Sequence, residues 1–332
     1  MTKTATTTTD TSAPAELMAG LVGHWHSSGH VLDAAETTIS GTDTYAWLPG
    51  RVGLIHFVDV WVGTSPVRAV ELITPTADRE RSFSAVAFDS DGTITRMTAE
   101  VNGNVRWLFR GGGDVASAAA PDGAGPTTLV RSTLTAESAQ LNARWERALD
   151  GSTWRPWMDI TFIRDADIDP ADWPPENWWA SGPSPTVAGP LRALDTLTGS
   201  WNWHGAARDG AAREGGFAVS GSTRFRWLPG GAFLMEAAEL RAGNETNCSI
   251  AMVGWDDARG GCVAHYCDND GVVATYELAV ADGTLRVRWP GYRFAGRFSP
   301  DSRTVTGPWE QLDDRVGWRY WYDATLQRTE DR

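Results

Sequence analysis

The sequence predicts an all-β protein made of two tandem antiparallel β-barrels, each opened by a short helix. The first observation is composition: the 332 residues include 35 Gly, 17 Pro and 18 Trp. Gly and Pro mark turns, and Trp favours strands and wide cores. The second is that long helical patterns are scarce, with short helix signals only at 14–21 and 190–197. The third is an internal repeat.

The two halves of the chain carry the same motifs in the same order. Leu21-Val-Gly-His-Trp25 corresponds to Leu197-Thr-Gly-Ser-Trp201, and Trp-Leu-Pro-Gly is identical at 47–50 and 227–230. The closing segments 154–164 and 318–328 also correspond. The repeat therefore predicts a disordered tail over 1–15, barrel 1 over 16–165, a Pro- and Trp-rich linker over 166–189, and barrel 2 over 190–329.

The first repeat contains an insertion. Trp47 and Trp145 are 98 positions apart, whereas their counterparts Trp227 and Trp309 are 82 apart, which leaves 16 extra residues in repeat 1. The low-complexity stretch 111–126 fits this insertion and has the composition of a mobile loop. It is either an indifferent surface insertion, since such loops cost little, or a lid over a pocket.

Charge and cysteine content restrict the partners. Lys and Arg total 29 against 42 Asp and Glu, a net charge of −13. An acidic surface repels phosphate groups, so nucleic acid and anionic membranes are not expected as partners. The polar start does not resemble a secretory signal, and three cysteines cannot all pair within the chain. We therefore expect a reduced, cytoplasmic protein, with the oligomeric state left open.

Alternation along one strand of each repeat predicts which side chains point into the barrels. Side chains alternate between the two faces of a strand. In repeat 1 the predicted inward set is Leu54, His56, Val58 and Val60; in repeat 2 it is Leu234, Glu236, Ala238 and Leu240. Each set is apolar except for one titratable residue at the same repeat position. A closed barrel of about 8–10 strands removes exposed strand edges and leaves room for a small ligand.

The repeats also resemble a known group of barrels. Gly-x-Trp at 23–25 and 199–201 is similar to the opening of calycins, which include lipocalins and fatty-acid-binding-like barrels. The segments 262–271, 297–310 and 321–328 resemble an uncharacterised bacterial family of calycin-like proteins. The resemblance implies the fold but no activity. Nitrobindins, which are more remotely similar, bind haem through a late His; here no His follows His265. We therefore expect no cofactor.

Four titratable residues are the candidate catalytic groups. His56 and Glu236 occupy one inward repeat position, and a buried His or Glu can act as an acid or base near neutral pH. Asp159 and Asp323 occupy one position on the closing strands and would orient a ligand if they pointed inward. The alternatives are a partnered core residue for the first pair and an outer-face charge for the second.

Aromatic residues supply the candidate ligand-binding wall. Tyr45 and Trp47 in repeat 1 match Phe225 and Trp227 in repeat 2, and Tyr266 lies on a later strand. They either stack on a ligand or simply pack the barrel. His24, His26 and His30 share a strand face, but Trp25 has the opposite parity and is expected to point inward. The histidines then point outward, and no metal site is expected.

Two functions fit these features best. The first is a cofactor-free enzyme that holds an apolar, aromatic or polyene molecule folded and catalyses its cyclisation or isomerisation, as some tandem lipocalin-like proteins of secondary metabolism do. The second is a carrier or sensor that binds a hydrophobic small molecule without changing it. A third hypothesis is a structural module in which Trp side chains fill the interiors of both barrels.

Overall fold

The chain forms two compact units, each a closed barrel of ten antiparallel strands. The computed structural model describes residues 12–32, 37–77, 79–103, 106–112, 129–137, 139–165, 185–187, 189–206 and 218–329. The predicted tail up to residue 11, most of the insertion and most of the linker lie outside these residues. The prediction of two tandem antiparallel barrels is confirmed, and each strand pairs with its sequence neighbours until the last strand closes on the first.

The first barrel is a meander of ten strands. Its strands are β1 (Gly23–Val31), β2 (Thr38–Trp47), β3 (Leu54–Val62), β4 (Ser65–Pro75), β5 (Ser82–Asp89), β6 (Ile94–Asn102), β7 (Arg106–Gly112), β8 (Leu129–Glu137), β9 (Gln140–Ala148) and β10 (Arg155–Asp165). Closure pairs β1 with β10, so that Trp25 lies opposite Arg164. Full closure satisfies the backbone hydrogen bonds of both edge strands.

The second barrel repeats this order. Its strands are β11 (Gly199–Ala206), β12 (Ala218–Trp227), β13 (Phe233–Ala242), β14 (Glu245–Asp256), β15 (Gly261–Asp268), β16 (Val273–Ala281), β17 (Thr284–Trp289), β18 (Tyr292–Phe298), β19 (Thr304–Asp313) and β20 (Gly317–Arg328). Closure pairs β11 with β20, and Trp201 lies opposite Arg328. The matching registers show that the sequence repeat is a structural repeat.

A short helical segment precedes each barrel, as the sequence predicts. The segment before barrel 1 is an α-helix, α1 (Ser12–Ala19), and the one before barrel 2 is a 3-10 helix (Gly189–Leu197). The 3-10 helix buries Leu191, Leu194 and Leu197 in the core of barrel 2. In the part of the chain that the structure describes, neither α1 nor any other helix has the length and apolar character required to cross a bilayer.

The repeated Trp of each barrel is held in the same way. The indole Nε1 of Trp25 donates to the carbonyl of Leu21 at 2.9 Å, and that of Trp201 to the carbonyl of Leu197 at 2.7 Å. The guanidinium of Arg164 lies 4.1 Å from the Trp25 ring centroid, and that of Arg328 lies 4.4 Å from the Trp201 ring. This cation–π arrangement ties the closing strand to the opening segment in both barrels.

The closing-strand carboxylates point away from the barrel interiors, which corrects one prediction. Asp159 forms a two-bond ion pair with Arg144 on the outer face, with distances of 2.6 and 2.7 Å. Asp323 lies between Tyr322 and Ala324, both of which are buried in the core of barrel 2. Because neighbouring side chains alternate between faces, Asp323 also points outward. Neither residue contributes a carboxylate to a lumen.

Candidate functional site

Barrel 1 encloses a cavity of about 600 Å³ that reaches the surface at one end. Its deep wall includes Tyr45, which is 5% exposed, whereas Val67 at its rim is 37% exposed. The mouth therefore lies beside the β3–β4 turn. The volume is typical of small-molecule sites.

Aliphatic side chains form most of the cavity wall. Two indoles, Trp145 and Trp157, also line it. The predicted inward residues His56, Val58 and Val60 all line the cavity, so the predicted face of β3 is confirmed. Val and Ile side chains, and not mainly the predicted aromatic wall, therefore surround the lumen. Its main aliphatic residues are Val31, Ile39, Val58, Val60, Val62, Val130, Leu134 and Ile160.

Three large aromatic side chains of barrel 1 lie at its other end. Trp25, Phe83 and Trp107 form one buried cluster with Met18 and Leu21, which come from α1 and the turn after it. The Phe83 and Trp107 ring centroids are 4.8 Å apart. This packing closes the barrel near α1 and leaves the space beyond it free.

A buried polar cluster lies on the cavity wall. His56 Nε2 is 2.8 Å from Asp43 Oδ1, and His56 Nδ1 is 3.1 Å from Glu71 Oε2. Ser27 donates a hydrogen bond to the other carboxylate oxygen of Asp43. The Tyr45 ring stacks on the imidazole, with centroids 3.8 Å apart and planes 7° from parallel. The cluster brings together the inward faces of β1, β2, β3 and β4.

Strand register explains why these residues meet. His56 lies directly opposite Glu71 in the β3–β4 hairpin and directly opposite Tyr45 on β2. Asp43 is two residues before Tyr45, so it points to the same face and reaches His56 diagonally. Glu71, Asp43 and Ser27 are site residues that the sequence reasoning missed. The signal for Glu71 is the tight β3–β4 turn, which fixes the hairpin register.

The His56 imidazole is held as a cation. Burial by itself lowers the pKa of His56, but hydrogen bonds to Asp43 and Glu71, together with their negative charges, raise it to about 9. The pKa of Tyr45 is raised well above its ordinary value by burial and by the charges of Asp43 and Glu71. At neutral pH both ring nitrogens of His56 therefore donate to carboxylates, and neither is free for a ligand.

One oxygen of the cluster has no hydrogen-bond partner. Glu71 is 7% exposed, and its Oε1 is buried without a donor within the described residues. An unsatisfied buried carboxylate oxygen costs about 1–3 kcal/mol or more. Glu71 lines the cavity, so this unsatisfied oxygen belongs to a side chain of the cavity wall.

Barrel 2 has a buried carboxylate, Glu236, at the repeat position of His56, and its surroundings differ from those of Glu71. Both oxygens of Glu236 have partners: Tyr276 donates to Oε2 at 2.7 Å and Thr223 to Oε1 at 3.2 Å. Burial raises the pKa of Glu236, while these two hydrogen bonds act in the opposite direction. Glu236 is thus the partnered core residue that the sequence reasoning held as the alternative.

The predicted aromatic wall is distributed over several environments. Tyr45 lines the cavity of barrel 1, whereas Trp47 is partly buried against that barrel's core, 5.6 Å below the Arg51 guanidinium. Phe225 is buried in the core of barrel 2, and the Trp227 indole donates to Asp195. The Tyr266 hydroxyl donates to Asp268 at 3.0 Å. Of the five, Tyr45 is the one on the wall of this cavity.

The outward histidines do not form a metal centre with their neighbours. Trp25 is fully buried, and His26 is exposed beside Asp165, as expected from their opposite parity. Within the described residues, no group of three or more His, Cys, Asp or Glu is arranged to hold a metal ion.

Comparisons with known proteins give only remote similarities. No family model matches the chain, and no curated protein matches it significantly. The solved structure of Rv2717c from M. tuberculosis is 17% identical with a TM-score of 0.32, covering 44% of this chain and 100% of that chain. A DUF3598-family protein of unknown function from Nostoc punctiforme is 10% identical with a TM-score of 0.25, covering 95% and 98%. Similarities of this size carry no argument about function, and the tandem-barrel fold rests on the strand pairing itself.

Proposed function

We propose that barrel 1 binds an apolar small molecule in its lumen. The observation that carries this proposal is the cavity of about 600 Å³, which joins an aliphatic wall to one buried polar cluster. Small-molecule sites commonly have this character: apolar surface supplies most of the binding free energy, and a few polar groups fix orientation. The proposal corresponds to a carrier or sensor of lipocalin type.

The binding test uses a neutral probe and a pair of matched variants. Isothermal titration of the full chain with 2-naphthalenemethanol is expected to show saturable binding at one site per chain. Val58 and Ala238 occupy the same repeat position, on β3 and β13. Val58→Trp places an indole in the lumen of barrel 1 and is expected to abolish binding, whereas Ala238→Trp in barrel 2 is expected to retain it. Circular dichroism checks that both variants fold. Binding that survives Val58→Trp, or is lost only in Ala238→Trp, contradicts the assignment.

The second candidate function is cofactor-free proton transfer on the bound molecule, as in an isomerisation or cyclisation. The observation that favours it is Glu71 Oε1, a carboxylate oxygen without a partner on the wall of an apolar cavity. Such a group is suited to act as a general base. His56 is then a positioning residue, because both its nitrogens are bonded to carboxylates.

Hydrogen–deuterium exchange of a ketone separates binding from catalysis. In D2O the full chain is expected to accelerate α-hydrogen exchange of 2-tetralone, followed by proton NMR. Glu71→Gln removes the base and is expected to return the rate to that of buffer. Glu236→Gln, the same substitution at the buried carboxylate of barrel 2, is the control and is expected to retain the rate. If exchange is no faster than in buffer while the neutral probe still binds, the result contradicts the catalytic function and agrees with the carrier function.

A further inference from the structure

The charge of the barrel 1 cluster indicates the chemistry of its ligand. Asp43 and Glu71 each carry one negative charge when ionised, and the protonated imidazole of His56 offsets only one of them. With both carboxylates ionised, the cluster has a net charge of −1. Asp43, His56 and Glu71 are 3%, 8% and 7% exposed, respectively. An uncompensated charge in such surroundings costs several kcal/mol.

Other cavity-lining groups do not offset this charge. Among the described residues of the wall there is no Lys or Arg, and one more carboxylate, Asp89, lines the cavity. The remaining polar wall residues are neutral hydroxyl groups on Ser27, Tyr45, Ser65, Thr95 and Ser132. The lumen therefore has a negative potential, which its apolar wall does little to screen.

The position of the unpartnered oxygen specifies where a compensating group would lie. Glu71 Oε2 is occupied by His56, while Oε1 is buried beside the cavity with no donor among the described residues. An ammonium group supplies both a positive charge and N–H donors at that oxygen. A neutral hydroxyl supplies only the donor, and a carboxylate supplies neither.

We propose that the ligand of barrel 1 is an apolar organic amine whose protonated nitrogen donates a hydrogen bond to Glu71 Oε1. This inference rests on the proposed binding function and narrows it to a ligand class. The apolar body of the amine lies against the aliphatic wall toward the mouth, and its ammonium group lies at the polar cluster.

Three probes with one ring system test the inference. Isothermal titration near pH 7.5 compares 2-naphthylmethylamine, 2-naphthalenemethanol and 2-naphthoic acid on the full chain. The amine is expected to bind at least about 10-fold more tightly than the alcohol, and the acid more weakly than both, since the first gains a charge-assisted hydrogen bond and the last is repelled.

Carboxylate variants locate the preference. Glu71→Gln is expected to weaken binding of the amine at least about 10-fold while changing that of the alcohol by less than about 3-fold. Asp43→Asn removes the net charge of the cluster but keeps Glu71. It is also expected to reduce the preference for the amine over the alcohol. Glu236→Gln, the same substitution at the buried carboxylate of barrel 2, is expected to leave all three affinities unchanged.

The outcomes separate the inference from the function on which it rests. Equal affinities of the amine and the alcohol, or tightest binding of the acid, overturn the cationic ligand while barrel 1 remains a binding site. An amine preference that persists in both Glu71→Gln and Asp43→Asn also overturns it. No measurable binding of any probe overturns the proposed function and the inference together.

Discussion

The two barrels share one fold but differ in the size of the side chains at matched inward positions. Ser27 and Trp203 both lie two residues after the repeated Trp, opposite Gly41 and Gly221 on the next strand. Further aromatic residues stand in barrel 2 where barrel 1 has smaller ones. By register, these pairs are Ala87 and Tyr266, Met97 and Tyr276, Gly111 and Trp289, Ser132 and Phe294, and Met158 and Tyr322.

Near the closed end of barrel 1, the larger residue of each matched pair is in barrel 1. Phe83 and Trp107 have the smaller partners Cys262 and Leu285 in barrel 2. Barrel 1 thus has the larger aromatic residues at its closed end, whereas barrel 2 has the larger ones at the other matched inward positions. Trp203, Tyr276, Phe294 and Tyr322 all belong to the buried core of barrel 2. The comparison shows that the two barrels differ in side-chain volume at matched inward positions, with no change in topology.

The largest expected effect of a single change is in the core of barrel 2. Phe294 is 2% exposed in the core of barrel 2, so Phe294→Ala is expected to lower its free energy of unfolding by about 3–5 kcal/mol. Ser132→Ala at the matched position of barrel 1 is expected to cost less than about 1 kcal/mol, because little packing is lost. Hydrogen exchange of peptides from β13 and β14, compared with β3 and β4, measures each barrel separately. Similar losses in the two variants contradict the packing difference.

The next effect is the pH dependence contributed by His56. Its pKa rises from 6.5 to about 9 on folding, so the stabilisation is complete below pH 6.5 and is lost as the pH rises through 9. This shift corresponds to about 3 kcal/mol. Urea unfolding between pH 6 and pH 10 is expected to show this loss in the natural chain and not in His56→Gln. The same pH profile in both proteins would show that the imidazole is not held as a cation.

Filling the lumen is expected to reduce affinity without unfolding the barrel. Ser132→Phe gives barrel 1 the residue that barrel 2 has at that position and is expected to weaken binding of 2-naphthalenemethanol on the order of 10- to 100-fold. The existing cavity accepts the added ring, so the free energy of unfolding should change little. Titration and urea unfolding of the same sample measure both quantities. Unchanged affinity would place the probe elsewhere.

The smallest expected effect concerns Glu236. Its pKa is raised by burial, so its contribution to stability is present below the ordinary pKa of Glu and declines as the pH rises through the folded value. Glu236→Gln is expected to raise the free energy of unfolding above that of the natural chain by more at pH 8 than at pH 4. The difference is expected to be no more than about 1 kcal/mol, because Tyr276 and Thr223 already bond to the carboxylate. Urea unfolding at the two pH values checks the sign; a larger gain at pH 4 would be contrary to it.

Much of the fold follows from local patterns in the sequence. The repeated Trp-Leu-Pro-Gly turns and the alternation around His56 and Glu236 predict two barrels and the inward face of β3 and β13. The same parity argument places His26 outside. The orientation of Asp159 and Asp323 could not be predicted in this way. Both faces of the closing strands carry apolar residues, so the alternation does not indicate which face points inward. The bulge after Pro156 further shifts the register of β10.

The polar cluster was harder to predict because it depends on pairing across four strands. Considered alone, His56 is predicted to be an inward acid or base. Its protonation state, however, is set by Asp43 and Glu71, and the register of the strand pairs is what brings these residues next to it. The location of the cavity was also not predictable from the count of aromatic residues. Both barrels are rich in aromatics, and only the inward position of each one decides whether space remains.

A crystal structure of the full chain with 2-naphthylmethylamine tests the account most directly. We expect the ring between the aliphatic walls of barrel 1, the nitrogen within hydrogen-bond distance of Glu71 Oε1, and the aromatic core of barrel 2 without the molecule. Density for the amine within barrel 2 or only on the outer surface, with the lumen of barrel 1 holding none, would contradict it.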